Sequence, residues 1–223
     1  MPPLDDVLLA TLPVLLAAFA LFDRHLVRAC SLFVLFALTV ALTWWQLGFA
    51  WLALLEVLLG AVLTGAFLFH ALGIGLVRLT PTVRLIHLRD PMPWIWRRAI
   101  VHLAPVLALL GMLMAALASL PAGESSLAAR WSGLVLLGLG LWTFALHAHL
   151  LRRLLAFNIT GTGIFLLLMS LVANTSPAAG QGLVITGLVV AWLGTALGAL
   201  LIRRLAALEQ HHEATAANGG QAS

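Results

Sequence analysis

Glu56 is the one acidic residue that lies inside an uninterrupted apolar stretch. A charge at bilayer depth costs about 2.5–3.5 kcal/mol on insertion scales, so such a carboxyl must face protein or water. In its protonated form it is both donor and acceptor and can hand a proton on. Two readings stand side by side: a protonatable relay, or a neutral acid hydrogen-bonded to a neighbouring helix. His70 follows on the same stretch. On a helix it points within about 40° of Glu56 and sits about 21 Å further along. Gly60 and Thr64 fall between them on that face. A small residue and a hydroxyl there leave room for water, so Glu56, Thr64 and His70 outline a polar track. The alternative for His70 is a cap at the helix end.

The most polar apolar-run segment is Asn158-Ile159-Thr160-Gly161-Thr162-Gly163. Asn158 and Thr162 share a helix face and are candidate water-binding groups; hydrogen bonding between helices is the other reading. His102, His147 and His149 lie near run ends. His147 and His149 are two apart, so they point in nearly opposite directions and cannot chelate one metal from a single face. A haem between His70 or His102 and one of this pair is conceivable, without an attachment motif or matched spacing to support it. No Ser/His/Asp arrangement, metal-ligand spacing or phosphate loop is present. The expectation is a protein without covalent chemistry, cofactor, metal or nucleic-acid partner of its own.

These residues must be positioned by membrane helices. Of 223 residues, 62% are hydrophobic and 9% charged, where a soluble domain carries about 25% charged residues. All 12 basic residues are arginine, and lysine and tyrosine are absent. Retinal Schiff-base chemistry and a Walker-type phosphate site are thereby excluded, since both need lysine. Cys30, the single cysteine, reads as a small buried hydrophobe. Seven apolar runs qualify as spans: Val7–Leu21, Leu26–Trp45, Phe49–Leu72, Ala99–Leu120, Ser132–Leu150, Leu154–Ala173 and Gly182–Ile202. Eleven of the twelve arginines fall on one side of this alternation and only Arg130 on the other. The positive-inside rule therefore puts the N-terminus outside and the C-terminus in the cytoplasm. Arg152 and Arg153 read as orientation anchors. Small residues line run 7, with Gly194 and Gly198 in a GxxxG and Gly187, Ala191 and Thr195 on another edge; such edges let helices approach closely. The fold class expected is an all-α integral membrane protein of seven transmembrane helices.

Two stretches carry a family resemblance. Asp23-Arg24-His25-Leu26-Val27-Arg28, Trp45 through Glu56, and Gly60-Ala61-Val62-Leu63-Thr64-Gly65-Ala66 resemble the MbhD-like domain of membrane-bound hydrogenases and of Mrp-type sodium/proton antiporters. The family's glutamate is kept as Glu56, while its aspartate appears as Trp51 and its threonine as Leu55. Run 4, entered by Arg97-Arg98, resembles the MbhE-like helix that follows. Leu151-Arg152-Arg153-Leu154-Leu155-Ala156-Phe157-Asn158-Ile159-Thr160-Gly161 and Gln181 through Val190 are similar to the three-helix MrpC-type protein of Mrp antiporters, itself similar to the K-type protein of respiratory complex I. The two intramembrane glutamates of the K-type protein correspond to Gly163 and about Ala191.

The resemblance implies an MbhD-like segment over 1–78, an MbhE-like helix over 99–122 and an MrpC-like and K-like three-helix segment over 131–205; prolines and tryptophans among arginines make 79–98 a cytoplasmic interfacial connection, and polar composition makes 206–223 an expected disordered tail. It implies a small multi-pass subunit of a cation- or proton-translocating assembly in a bacterial cytoplasmic (inner) membrane. The partners implied are large antiporter-like membrane subunits and other small subunits, with the lipid bilayer around them. A purely structural subunit and a small haem-binding cytochrome are the alternatives.

Overall fold

The computed structural model describes residues 4–72, 96–119, 127–172 and 177–219. All regular structure there is helical, in seven helices: α1 (Leu4–Phe22), α2 (Leu26–Gln46), α3 (Ala50–Ala71), α4 (Trp96–Ala118), α5 (Leu127–Leu146), α6 (Leu150–Val172) and α7 (Pro177–Gly219). They correspond one for one with the seven apolar runs. Helices are what such a composition permits, because lipid offers the backbone no hydrogen bonds. Five of them (α2, α3, α5, α6 and α7) are long and apolar enough to cross a membrane. The chain is a multi-pass membrane protein. Most of the connection expected over 79–98 falls outside the described residues.

The α2–α3 turn shows how the sequence fixes a hairpin. Gly48 has φ +84°, the left-handed conformation that suits glycine. Its N–H donates to Trp45 O at 3.0 Å, and Phe49 N–H reaches back to Trp44 O at 2.9 Å. This is the two-bond closure that ends many helices. It delivers α3 antiparallel to α2 after only three residues.

The two halves of the chain interlock. α2 packs on α1 and on α3, α1 packs on α5, and α7 packs on both α3 and α6. One apolar core runs through both halves, from Leu21, Leu26, Phe36 and Leu52 to Leu136, Leu155 and Ile159. The most extensive contact is between α5 and α6, and it is made by glycine. A Cβ built on Gly163 would stand 2.7 Å from Gly133 O and 2.7 Å from Leu137 N, both backbone atoms of α5. Gly140 faces Thr160 N at 2.9 Å and Ala156 O at 3.0 Å in the same way. The glycines of run 7 play a different part from the one their spacing suggests. Gly198 and Gly187 receive side chains of α6, Leu154 and Phe165 respectively, rather than a second backbone. α4 packs on α5 alone to any extent. α7 remains helical as far as Gly219, through most of the segment expected to be a disordered tail. Helix continuation there follows from Ala206, Ala207, Leu208 and Glu209, which are strong helix formers.

Candidate functional site: a buried carboxyl in a widened helix

The middle of α3, Glu56–Leu63, is wound as a π-helix. π-Helical turns are rare, and they occur frequently at functional sites. Glu56 opens this segment and is 3% exposed. Its carboxyl lies over Gly60: a Cβ there would be 2.5 Å from Glu56 Oε1 and 3.6 Å from Ala37 Cβ of α2. The absence of a side chain at position 60 is thus the space the carboxyl occupies, and Ala37 keeps the facing wall shallow. Trp44, on α2, is fully buried, and its indole Nε1 has no hydrogen-bond partner among the described residues. No arginine or histidine forms an ion pair with Glu56 among the described residues.

Thr64 follows on the same face and is buried. Its hydroxyl donates to Leu59 O at 2.7 Å, five residues back, which matches the widened winding. The hydroxyl oxygen remains available as an acceptor. His70 stands at the far end of α3, half-buried, with its ring against the Arg203 guanidinium of α7. An arginine has only donors, so an imidazole nitrogen bonded to it must be the acceptor. Glu56, Thr64 and His70 therefore do line one helix, with the carboxyl facing α2 and the imidazole held by α7.

Asn158 and Thr162 belong to a separate polar centre. Asn158 Nδ2 donates to Thr195 Oγ1 of α7 at 2.8 Å and to Leu154 O at 2.9 Å. Thr195, fully buried, also faces Asn158 Oδ1 at 3.1 Å and Ala191 O at 2.8 Å. Thr162 Oγ1 donates to Asn158 O at 3.2 Å. The amide is thus engaged in hydrogen bonding between helices, the second of the two readings its sequence allows. α3 and α6 each pack on α7.

Three arginines meet helix ends. Arg152 is 1% exposed, and its guanidinium donates to Leu21 O and Asp23 O at the C-terminal end of α1. Arg153 Nε donates to His147 O at 2.9 Å, where α5 has ended, and its guanidinium lies 5.3 Å from the centre of the Phe144 ring. Arg130, buried on the opposite side, is directed at Leu117 O of α4 at 3.5 Å. Each cation meets the carbonyls a helix leaves unsatisfied at its C-terminus, where the macrodipole favours positive charge. Arg152 ties α6 to α1 through these contacts. Asp23 holds the start of α2, accepting from His25 N at 2.9 Å and pairing with Arg28 Nε at 3.1 Å.

Sequence reasoning reached Glu56, Thr64 and His70 through their spacing. It missed Arg203 and Thr195 as partners, because each comes from another helix and only the packing selects it. Among the described residues, no group of three or more His, Cys, Asp or Glu side chains could hold a metal ion. The side chain of His102 lies outside the described residues.

Comparison with known proteins bears on the second half of the chain. No curated protein and no solved structure matches it. Residues 130–221 match the family described as NADH-ubiquinone/plastoquinone oxidoreductase chain 4L, the K-type family of complex I. The match spans α6, α7 and nearly all of α5, less than half of the chain. These three helices are similar to chain 4L, and the carboxyl-bearing helix α3 lies outside the matched region.

Proposed function

We propose that this chain is a small integral subunit of a multisubunit, complex-I-like or Mrp-like assembly that moves protons or cations across a bacterial inner membrane. It contributes a polar path along α3. Glu56 is the protonatable site, Thr64 offers an acceptor for water, and His70 exchanges the proton at the far end. Asn158 holds α6 to α7 through Thr195, and Asn158 and Thr162 offer the remaining acceptors to water. The observation that carries the reading is Glu56, a carboxyl buried in a π-wound membrane helix without a counter-ion among the described residues. The similarity of residues 130–221 to chain 4L supports the assembly context. The arginine distribution supports an N-out, C-in orientation. The partners are large antiporter-like membrane subunits and further small subunits.

The chain 4L-like part supplies packing more than a relay. Gly163, which corresponds to a glutamate of the K-type protein, is pressed against the α5 backbone, so no carboxyl fits there. This observation favours a second reading, in which the chain is a purely structural subunit and Glu56 is inert.

The test of the assembly is purification of the tagged chain from its native membrane in mild detergent, with mass spectrometry of what accompanies it. Co-purifying antiporter-like large subunits are the expected result. A monodisperse chain without partners would overturn the proposal, and an absorption spectrum of that chain would then test the haem alternative.

A further inference from the structure

The described tryptophans divide by where their rings lie. Trp44 is buried, and Trp142 and Trp192 are half-buried with their rings on Phe22 and Phe67. Trp45, Trp51 and Trp131 instead face outward, 62%, 62% and 51% exposed. These three stand at one end of the bundle. Trp45 and Trp51 flank the α2–α3 turn at Gly48. Arg152, in the first turn of α6, reaches Leu21 O and Asp23 O, where α1 has ended and α2 is about to begin. α5 ends at Leu146, beside that same turn of α6. Its first turns, with Trp131, therefore lie at the opposite end, that of the α2–α3 turn. The other arginines gather away from the indoles: Arg24 and Arg28 where α2 starts, Arg152 and Arg153 opening α6, and Arg203 beside His70. Arg130 is the exception among the described residues, and it is turned inward toward Leu117 O.

We propose that Trp45, Trp51 and Trp131 form the surface by which the bundle seats in one phospholipid headgroup layer, and that this seat holds Glu56 just beneath that layer rather than at the middle of the membrane. An indole has an apolar body and a single N–H donor. Facing the hydrocarbon core, that donor would meet no acceptor. At headgroup depth it meets ester and phosphate oxygens while the ring stays among the chains. The spacing to the basic end fits a bilayer. Trp45 lies 17 residues from Arg28 on α2, and Trp51 lies 19 residues from His70 on α3. At 1.5 Å per residue these separations are about 26 Å and about 28 Å, close to the hydrocarbon thickness of about 30 Å. The outward residues of α3 below Trp51 include Leu54, Leu58 and Val62, apolar side chains with no polar group to offer a protein neighbour, which makes lipid the partner. Glu56 follows Trp51 on α3 and so lies about 8 Å deeper. The carboxyl is near the tryptophan-side surface, and the stretch through Gly60 and Thr64 to His70 is the long arm. This placement follows from the multi-pass fold and holds whether or not Glu56 carries protons.

The full chain reconstituted in phosphatidylcholine vesicles tests this. Bromine on a lipid chain quenches tryptophan emission on contact, and it is placed either next to the headgroup or near the chain end. The emission lost in Trp45→Phe, Trp51→Phe or Trp131→Phe reports the replaced ring. Each ring should be quenched several-fold more by bromine next to the headgroup. Equal quenching from both depths overturns the seat. Quenching from neither depth also overturns it and means that protein covers these rings. The depth of Glu56 is read separately, on a Cys30→Ala chain carrying one spin label through Leu54→Cys, Leu58→Cys or Val62→Cys. Oxygen collects at the middle of a bilayer, and a water-soluble nickel complex stays outside it. The ratio of their effects on the label should rise from position 54 to 58 and again to 62. Equal ratios at the three positions, or a fall toward position 62, overturn the shallow placement of Glu56.

Discussion

Gly163→Ala tests whether α5 and α6 meet backbone to backbone. The added methyl would stand 2.7 Å from Gly133 O and from Leu137 N, with Leu137 Cα at 3.2 Å. Neither helix backbone can move aside as a flexible side chain would. To restore ordinary contact the helices must part by roughly 0.7 Å along a seam packed to crystal density. Overpacking of this kind costs about 1–3 kcal/mol. Alanine's better helix propensity returns up to about 1 kcal/mol. The net expectation is a loss of about 1–2 kcal/mol, because the contact is the most extensive one in the bundle. Gly111→Ala supplies the control, since a Cβ there meets nothing within 4 Å and keeps the propensity gain without the clash. Both variants are unfolded by titrating dodecyl sulfate into mixed micelles of the purified chain, with circular dichroism as readout. Gly163→Ala as stable as Gly111→Ala would refute the packing argument, and with it the reason that no carboxyl fits at position 163.

Other perturbations read other joints of the bundle. Arg152→Met keeps the apolar stem but leaves Leu21 O and Asp23 O without their charged donor. Hydrogen bonds to charged groups contribute about 1.5–3 kcal/mol, so the same titration should show a loss in that range, with near-wild-type stability contradicting the cap. A double-mutant cycle of Asn158→Ala and Thr195→Val should give a coupling of about 0.6–1.7 kcal/mol, the range for hydrogen bonds between membrane helices; additive effects would deny the pair. Arg203→Ala should speed amide exchange around Ile202–Leu208 by releasing α7 from His70, whereas Arg204→Ala should not. Equal protection in both variants would remove the His70 contact from the account.

The seven helices were legible in the chain because lipid imposes a length and a composition that few sequences meet by accident. Their ends were less so. Run 5 reads as apolar through Leu150, but α5 stops at Leu146, where Arg153 and the His147 carbonyl set the boundary through a contact that hydropathy does not encode. Glu56 stood out by its cost. The widened winding around it did not, since Val57, Leu58, Leu59, Ala61, Val62 and Leu63 suit an ordinary helix equally well. Glycine spacing pointed to run 7, yet the close backbone seam is Gly133, Gly140 and Gly163. A small-residue pattern marks where a helix can be approached, and the partner decides whether a backbone or a side chain fills the space. Arg152 and Arg130 show the same lesson for charge. Topology explains which side an arginine is on, and only the packing shows which helix end it caps.

Glu56→Gln in the assembly that co-purifies with the chain tests the central claim most directly. The substitution keeps the volume of the side chain and removes its exchangeable acid. The complex, verified as fully assembled, is reconstituted into vesicles carrying a pH-sensitive dye. A loss of most proton movement, with the same set of proteins present, is the predicted result. Proton movement at the wild-type rate in a fully assembled complex would contradict it and leave Glu56 a buried acid with a structural role.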